Sequence, residues 1–163
     1  SVIVHGDGKL GQLVAQTLWT RTRKLVCVGR QPWKRALLAG LGIPAVGVDE
    51  PLDPADIVVE VTGTAAGLER AIALTRPEGV LVLKTTVADA YQAPLALPVI
   101  NEITIIGSRC GPFRPALEAL ALGTVRAAHL VSETFSLADG LAALGRAAAG
   151  DAMKVLIRME GGA

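Results

Sequence analysis

The sequence predicts an α/β fold, a doubly wound and mostly parallel sheet covered by helices on both faces, and three observations carry that prediction. Short, nearly all-apolar runs recur along the 163 residues, and most are followed by a segment with helical spacing. The runs lack the strict polar–apolar alternation of strands with one wet face, so they are expected to be buried on both sides. Between the first run and the first helical segment stands a glycine triplet, Gly6-Asp7-Gly8-Lys9-Leu10-Gly11.

Taken in order, Ser1 to His5 is an apolar run ended by glycine, and Lys9 to Thr22 follows with Leu10, Leu13, Val14, Thr17 and Leu18 on one helical stripe. Lys24 to Val28 is a second β-branched run; a helix from about Pro32 to Leu41 has proline in its first turn and Gly42 as its stop. Ala45 to Val48 is short and apolar. Pro51 and Pro54 mark a loop before Asp56-Ile57-Val58-Val59-Glu60-Val61, read as a buried strand. A helix from about Ala65 to Thr75 precedes the strand Gly79 to Leu83, and Ile103 to Ile106 supplies one more strand. The alanine-rich stretch Leu137 to Gly150 is a helix by propensity, and Lys154 to Arg158 closes the chain as a strand. There is no internal repeat or low-complexity segment.

Composition narrows the function classes. Hydrophobic residues make up 51 % of the chain, yet no apolar run approaches the roughly 20 residues that cross a bilayer, so no membrane partner is expected. Sixteen basic and fifteen acidic residues leave a formal charge of +1, which argues against nucleic acid and requires any anion binding to be local. Cys27 and Cys110 are far apart and form no zinc-binding pattern; with no signal-peptide features at the start, a reduced, cytoplasmic chain is the expectation. A strand opening at Ser1 suggests a chain that begins inside a longer protein.

The glycine triplet matches the G-x-G-x-x-G of Rossmann-type dinucleotide-binding domains and stands where the mechanism requires, after a strand and at a helix opening. Gly6 permits the sharp turn, Gly8 lets the backbone approach a pyrophosphate, and Gly11 lets helix and strand pack closely. Free amides at Lys9 and Leu10 would then face the phosphates at the positive end of the helix dipole. The side chains of Asp7 and Lys9 can both point to solvent while the backbone binds, and neither receives a catalytic role. The plain alternative is three turn glycines with no ligand.

About 20 positions on, NAD-binding domains of this type carry an acidic residue for the ribose. This chain has Gly29, followed by Arg30, with Lys34 and Arg35 in the next helical turn. Glycine leaves room for a 2′-phosphate, and a charge-assisted bond to arginine contributes about 1.5–3 kcal/mol. NADP(H) is therefore preferred, with NAD(H) admissible. The alternative for these cations is a solvated helix start; Trp33 either lies on the adenine or packs against its neighbours.

The chain resembles the cofactor-binding half of the medium-chain dehydrogenase/reductase family, whose members include zinc-dependent alcohol, sorbitol and threonine dehydrogenases. The likeness rests on Gly6 to Gly11, Asp56 to Gly63, Gly79 to Thr86, Asn101 to Ser108 and the closing Lys154-Val155-Leu156. It implies that Val61, Thr62 and Gly63 lie beside the adenosine and nicotinamide ribose. Lys84 and Thr85 would approach the nicotinamide, backbone groups of Ser108 and Cys110 would hold its carboxamide, and Lys154 would reach the pyrophosphate. Each has a plain alternative: Thr62-Gly63 as a simple turn, Cys110 as a small buried residue rather than a reactive thiol, Lys154 as the flank of an edge strand.

The resemblance also implies domains: residues 1–112 as the NAD(P)-binding unit, and 113–163 as a helix–strand–helix–strand segment of catalytic-domain type. The N-terminal catalytic domain, with zinc if the protein uses it, is expected to be absent from this chain. His5, in the first strand, and His129, in a late loop or strand, make no credible metal cluster with the cysteines. The leading reading is thus the NADP(H)-binding portion of an oxidoreductase that moves hydride between cofactor and a small alcohol or carbonyl. A zinc-free quinone or enoyl reductase and a non-catalytic nucleotide sensor are the alternatives. A homodimer through the apolar edge Ile103 to Ile106 is expected, since an unpaired apolar edge invites aggregation.

Overall fold

A computed structural model describes residues 1–85 and 95–159. Thr86, within one of the matched motifs, and residues 160–163 lie outside the described residues.

The chain divides into two compact units, Ser1–Val125 and Arg126–Ala163. The first holds strands β1 (Val2–His5), β2 (Leu25–Gly29), β3 (Ala45–Gly47), β4 (Ala55–Glu60), β5 (Thr75–Leu83) and β6 (Thr104–Gly107). Its helices are α1 (Lys9–Trp19), α2 (Pro32–Gly40), α3 (Ala65–Ala73), α4 (Ala96–Ile100) and α5 (Phe113–Ala121). The six strands form one parallel sheet in the order β3-β2-β1-β4-β5-β6, the Rossmann-type arrangement. Parallel neighbours need crossovers, and the helices between the strands provide them.

Alternation along β1 splits its side chains between two cores. Ile3 joins Val28, Val58, Leu81 and the α3 residues Leu68, Ala71 and Ile72 on one face. Val2 and Val4 join Leu25, Cys27, Ala15 of α1 and Leu38 of α2 on the other. Both faces are therefore apolar, which is why the strands read as continuous hydrophobic runs.

Three details depart from the sequence reading. The buried residues of α1 are Gly11, Gln12, Ala15 and Gln16, while Leu10 is 43 % exposed. Val14 and Leu18 of the predicted stripe do pack against the core, at partial burial, and of the buried side-chain amides Gln12 Nε2 donates to the Lys34 carbonyl at 2.8 Å and Gln16 Nε2 to the Gln12 carbonyl at 3.2 Å. β5 begins at Thr75 rather than Gly79, with a register shift against β4 that accommodates Glu78 at φ 58°. The short helix α4 was not signalled, because its Ala-Leu-Pro-Val-Ile carries no helical periodicity.

The second unit contains β7 (Val131–Ser136), α6 (Gly140–Ala148) and β8 (Lys154–Arg158), with β7 and β8 paired in parallel. His129 lies in a short 3-10 turn, Ala128–Leu130.

Candidate functional site

The strand order reverses direction between β1 and β4, and the ends of β1, β2 and β4 leave a cleft of about 340 Å³ between them. A ligand crevice beyond the carboxyl ends of strands, at the switch point, is the general property of open parallel sheets. Gly6, at φ 130°, makes the turn out of β1 in a conformation that disfavours any side chain. A β-carbon on Gly6 would stand 2.9 Å from the Val61 carbonyl carbon, and one on Gly11 only 1.9 Å from the Gly6 carbonyl oxygen. Gly8 differs. A β-carbon there would meet nothing within 4 Å, so the backbone at the α1 start borders open space.

The amides of Lys9, Leu10 and Gly11 lie in the first turn of α1 and have no intrahelical acceptor; the first closing bond is Gln12 N to Gly8 O, 2.9 Å. No acidic side chain sits in that turn to occupy them. Lys9 and Leu10 are both exposed. These donors and the helix dipole suit a diphosphate placed over Gly8.

At the end of β2 the sequence-predicted cations separate. Arg30 is exposed and lines the cleft with Lys34, whose ammonium lies 5.2 Å from the centroid of Trp33. Arg35 instead donates from Nη1 to the Gly29 carbonyl at 2.9 Å, a bond that holds the start of α2 to the end of β2. Asp7, whose side chain the sequence left free to point to solvent, is turned inward. Rather than reaching solvent it is 9 % exposed, its Oδ2 accepting the Gln31 amide at 3.1 Å. The motif leaves this position open, so nothing in the spacing marked it.

On the other wall, Glu60 at the end of β4 is 1 % exposed, and its Oε1 accepts both the amide and the hydroxyl of Thr62 at 2.6 Å. A carboxyl in an apolar strand was the only signal for this anchor, which holds the turn where Gly63, at φ 77°, leads into α3. The Gly63 amide donates to Thr85 Oγ1 at 3.0 Å, bringing the ends of β4 and β5 together. Lys84 Nζ donates to the Ser108 carbonyl at 3.3 Å and to Ser108 Oγ at 3.2 Å. Val61, Thr62, Gly63, Lys84, Thr85 and Ser108 are thus linked along the carboxyl edge of the sheet.

Cys110 corrects an expectation: it is exposed, not buried, because it lies in the irregular segment after edge strand β6. Cys27 is the buried thiol, pushed up to about 12 by burial and by the charge of Asp7. Lys154 begins β8, in the second unit, and is exposed.

His5 closes the floor of the cleft. It is 4 % exposed, its Nδ1 has no hydrogen-bond partner, and burial holds its pKa below the usual value against the opposing pull of Glu60. Open space over Gly8, unbonded amides, cations at one end and an unpaired buried nitrogen together fit an elongated anionic ligand with hydrogen-bonding capacity. Among the described residues no group of three or more His, Cys, Asp or Glu could hold a metal ion, and no helix is long and apolar enough to cross a membrane.

No family model matches the chain. It is 29 % identical over 111 residues to the sorbitol dehydrogenase of Bombyx mori, covering 66 % of this chain and 32 % of that protein. It superposes on L-idonate 5-dehydrogenase of Escherichia coli K-12 with a TM-score of 0.86 at 24 % identity, covering 96 % of this chain and 49 % of the other. An NADP-bound protein of Sinorhizobium meliloti 1021, described as a zinc-binding dehydrogenase, gives 0.84 at 23 % identity over 96 % of this chain and 52 % of its own. The chain spans about half the length of these solved structures and about a third of the curated relative. All three are dehydrogenases, in agreement with the family resemblance read from the residues, and the superpositions establish the fold.

Proposed function

We propose that the chain is the nicotinamide-dinucleotide-binding portion of a medium-chain dehydrogenase/reductase, and that in the full-length protein it serves hydride transfer between the cofactor and a small alcohol or carbonyl. The observation that carries this reading is the cradle at Gly8: open space bordered by unbonded amides, at the switch point of a parallel sheet. The cofactor, when bound, supplies the hydride chemistry. The chain's own residues bind and orient it, with Gly8 and the α1 amides at the diphosphate, Val61 to Gly63 at the riboses, and Lys84, Thr85, Ser108 and Cys110 toward the nicotinamide. Lys154 is proposed to reach the pyrophosphate.

NADP(H) is preferred, since the exposed Arg30 and the cleft-lining Lys34 offer a 2′-phosphate two cations where Gly29 offers no carboxylate. Arg35 supports them by fixing the Gly29 carbonyl. Residues 1–112 are the nucleotide-binding domain and 113–163 return to the catalytic domain, which supplies the substrate pocket and any zinc. The isolated chain binds cofactor and turns over poorly. Full-length copies pair through the edge around Ile103 to Ile106 in the cytoplasm; Ile105 and Ile106 on β6 are 40 % and 46 % exposed.

Fluorescence titration of the purified chain with NADPH and NADH, wild type against Arg30→Ala, tests the reading. Tighter binding of NADPH, lost in Arg30→Ala, supports it. Unchanged affinities in the variant remove the phosphate clamp, and absence of binding by either dinucleotide removes the function.

A further inference from the structure

We propose that Asp7 reads the cofactor's adenosine ribose from within the glycine loop, replacing the carboxylate that β2 lacks and keeping NAD(H) admissible beside Arg30 and Lys34. This rests on the reading of the cleft as a dinucleotide site. The geometry behind it is a substitution in space rather than in sequence. A β-carbon on Gly29 would stand 2.2 Å from Asp7 Oδ2 and 2.4 Å from Asp7 Cγ, so the aspartate fills the volume in which a side chain from the end of β2 would begin. Glycine at position 29 has a second explanation, then, besides room for a phosphate: only glycine leaves space for this carboxylate.

Asp7 is poised to accept more than it does. A carboxylate offers about four lone-pair sites, and among the described residues this one takes a single hydrogen bond, from the Gln31 amide to Oδ2, and no ion pair. At 9 % exposure the carboxylate meets little solvent. Asp7 lines the cleft, as does His5, whose buried Nδ1 has no hydrogen-bond partner, so the crevice sets a carboxylate with lone pairs to spare beside an unpaired ring nitrogen. A ribose diol supplies donors to such a carboxylate. The 2′-hydroxyl of NAD(H) donates to the carboxylate, whereas a 2′-phosphate meets like charge from Asp7 and opposite charge from Arg30 and Lys34. The selectivity between the two cofactors is the balance of these opposed contributions.

The test compares NADH and NADPH binding to the wild-type chain, Asp7→Asn and Asp7→Ser, both variants retaining an acceptor for the Gln31 amide, with urea midpoints reporting the fold. NADH affinity should fall about tenfold, equivalent to about 1.4 kcal/mol, while NADPH affinity holds or rises, so that the ratio shifts by at least that factor in at least one folded variant. A parallel fall of both affinities, or no change in either, overturns the proposal by reducing Asp7 to a loop-stabilising residue. A wild type that binds neither dinucleotide overturns the cofactor reading itself, an outcome distinct from the other two because it appears before any variant is made.

Discussion

A β-carbon on Gly11 would stand 1.9 Å from the carbonyl oxygen of Gly6, so the first turn of α1 is seated directly against the exit of β1. Backbone atoms on both sides leave no flexible side chain to yield. Gly11→Ala should therefore cost about 1–3 kcal/mol or more as the loop is forced apart, seen as a lower urea midpoint; an unchanged midpoint would show that the seat is looser than drawn.

Gly8 should behave in the opposite way. Its φ of −71° and ψ of −176° suit any residue, and nothing lies within 4 Å of a new β-carbon. Gly8→Ala is expected to leave stability unchanged or raised by about 0.4–1 kcal/mol through the unfolded state, while weakening dinucleotide binding about tenfold or more as a methyl enters the cradle. Calorimetric titration beside thermal melting separates the two effects, and retained affinity would move the diphosphate elsewhere.

Thr62→Val removes a hydroxyl that donates to Glu60 at 2.6 Å in a turn beside the cleft. Loss of a hydrogen bond to a charged acceptor costs about 1.5–3 kcal/mol. Urea unfolding should report that loss, and a cost near zero would mean that the Thr62 amide alone satisfies Glu60.

The two thiols should differ sharply in reactivity. Cys110 is exposed, while Cys27 is buried with its pKa pushed up to about 12. Thiolate is the reactive form, so a disulfide reagent at pH 8 should modify one cysteine of the native chain quickly and the second only after denaturation. Rapid modification of both would contradict the core placement of Cys27.

Burial lowers the pKa of His5 from its usual value of 6.5, outweighing Glu60, which raises it. The unfolded chain then binds more protons than the folded one as pH falls through about 6.5, so stability declines with acidification until the folded-state pKa is passed. His129 is shifted in the same direction, by burial and by Arg126. Trp19 and Trp33 report on the first unit, and their fluorescence should give a lower urea midpoint at pH 5.5 than at pH 7.5, with the difference reduced in His5→Gln. An equal difference in the variant would assign the effect to other groups.

Much of the architecture was legible because parallel strands buried on both faces leave runs such as Ile57-Val58-Val59 that no helix face would require, and because the glycine triplet has a fixed place between strand and helix. The buried face of α1 was only partly legible: of the stripe Leu10, Leu13, Val14 and Leu18, Val14 and Leu18 pack against the core while Leu10 is exposed, and close backbone contacts such as that at Gly11 leave no periodic trace. Asp7 was unreadable for a related reason, since its partner Gln31 and its neighbour Gly29 belong to another strand end. Arg35 showed the converse. Its charge suggested a phosphate, whereas its bond goes to the Gly29 carbonyl, and composition cannot tell a ligand from a local acceptor.

The strand that comes first in the sequence is flanked in space by the second and the fourth, with Val2 registered to both Leu25 and Ile57. One side of it can be zipped up as soon as the next βα segment emerges, but the other must wait until the whole excursion through α2 and β3 has been made. Closing the longer loop costs more chain entropy than closing the shorter one, and it is on that second seam that Val61 stands against Gly6. The close approach of Val61 to Gly6 thus depends on the more distant of the two pairings.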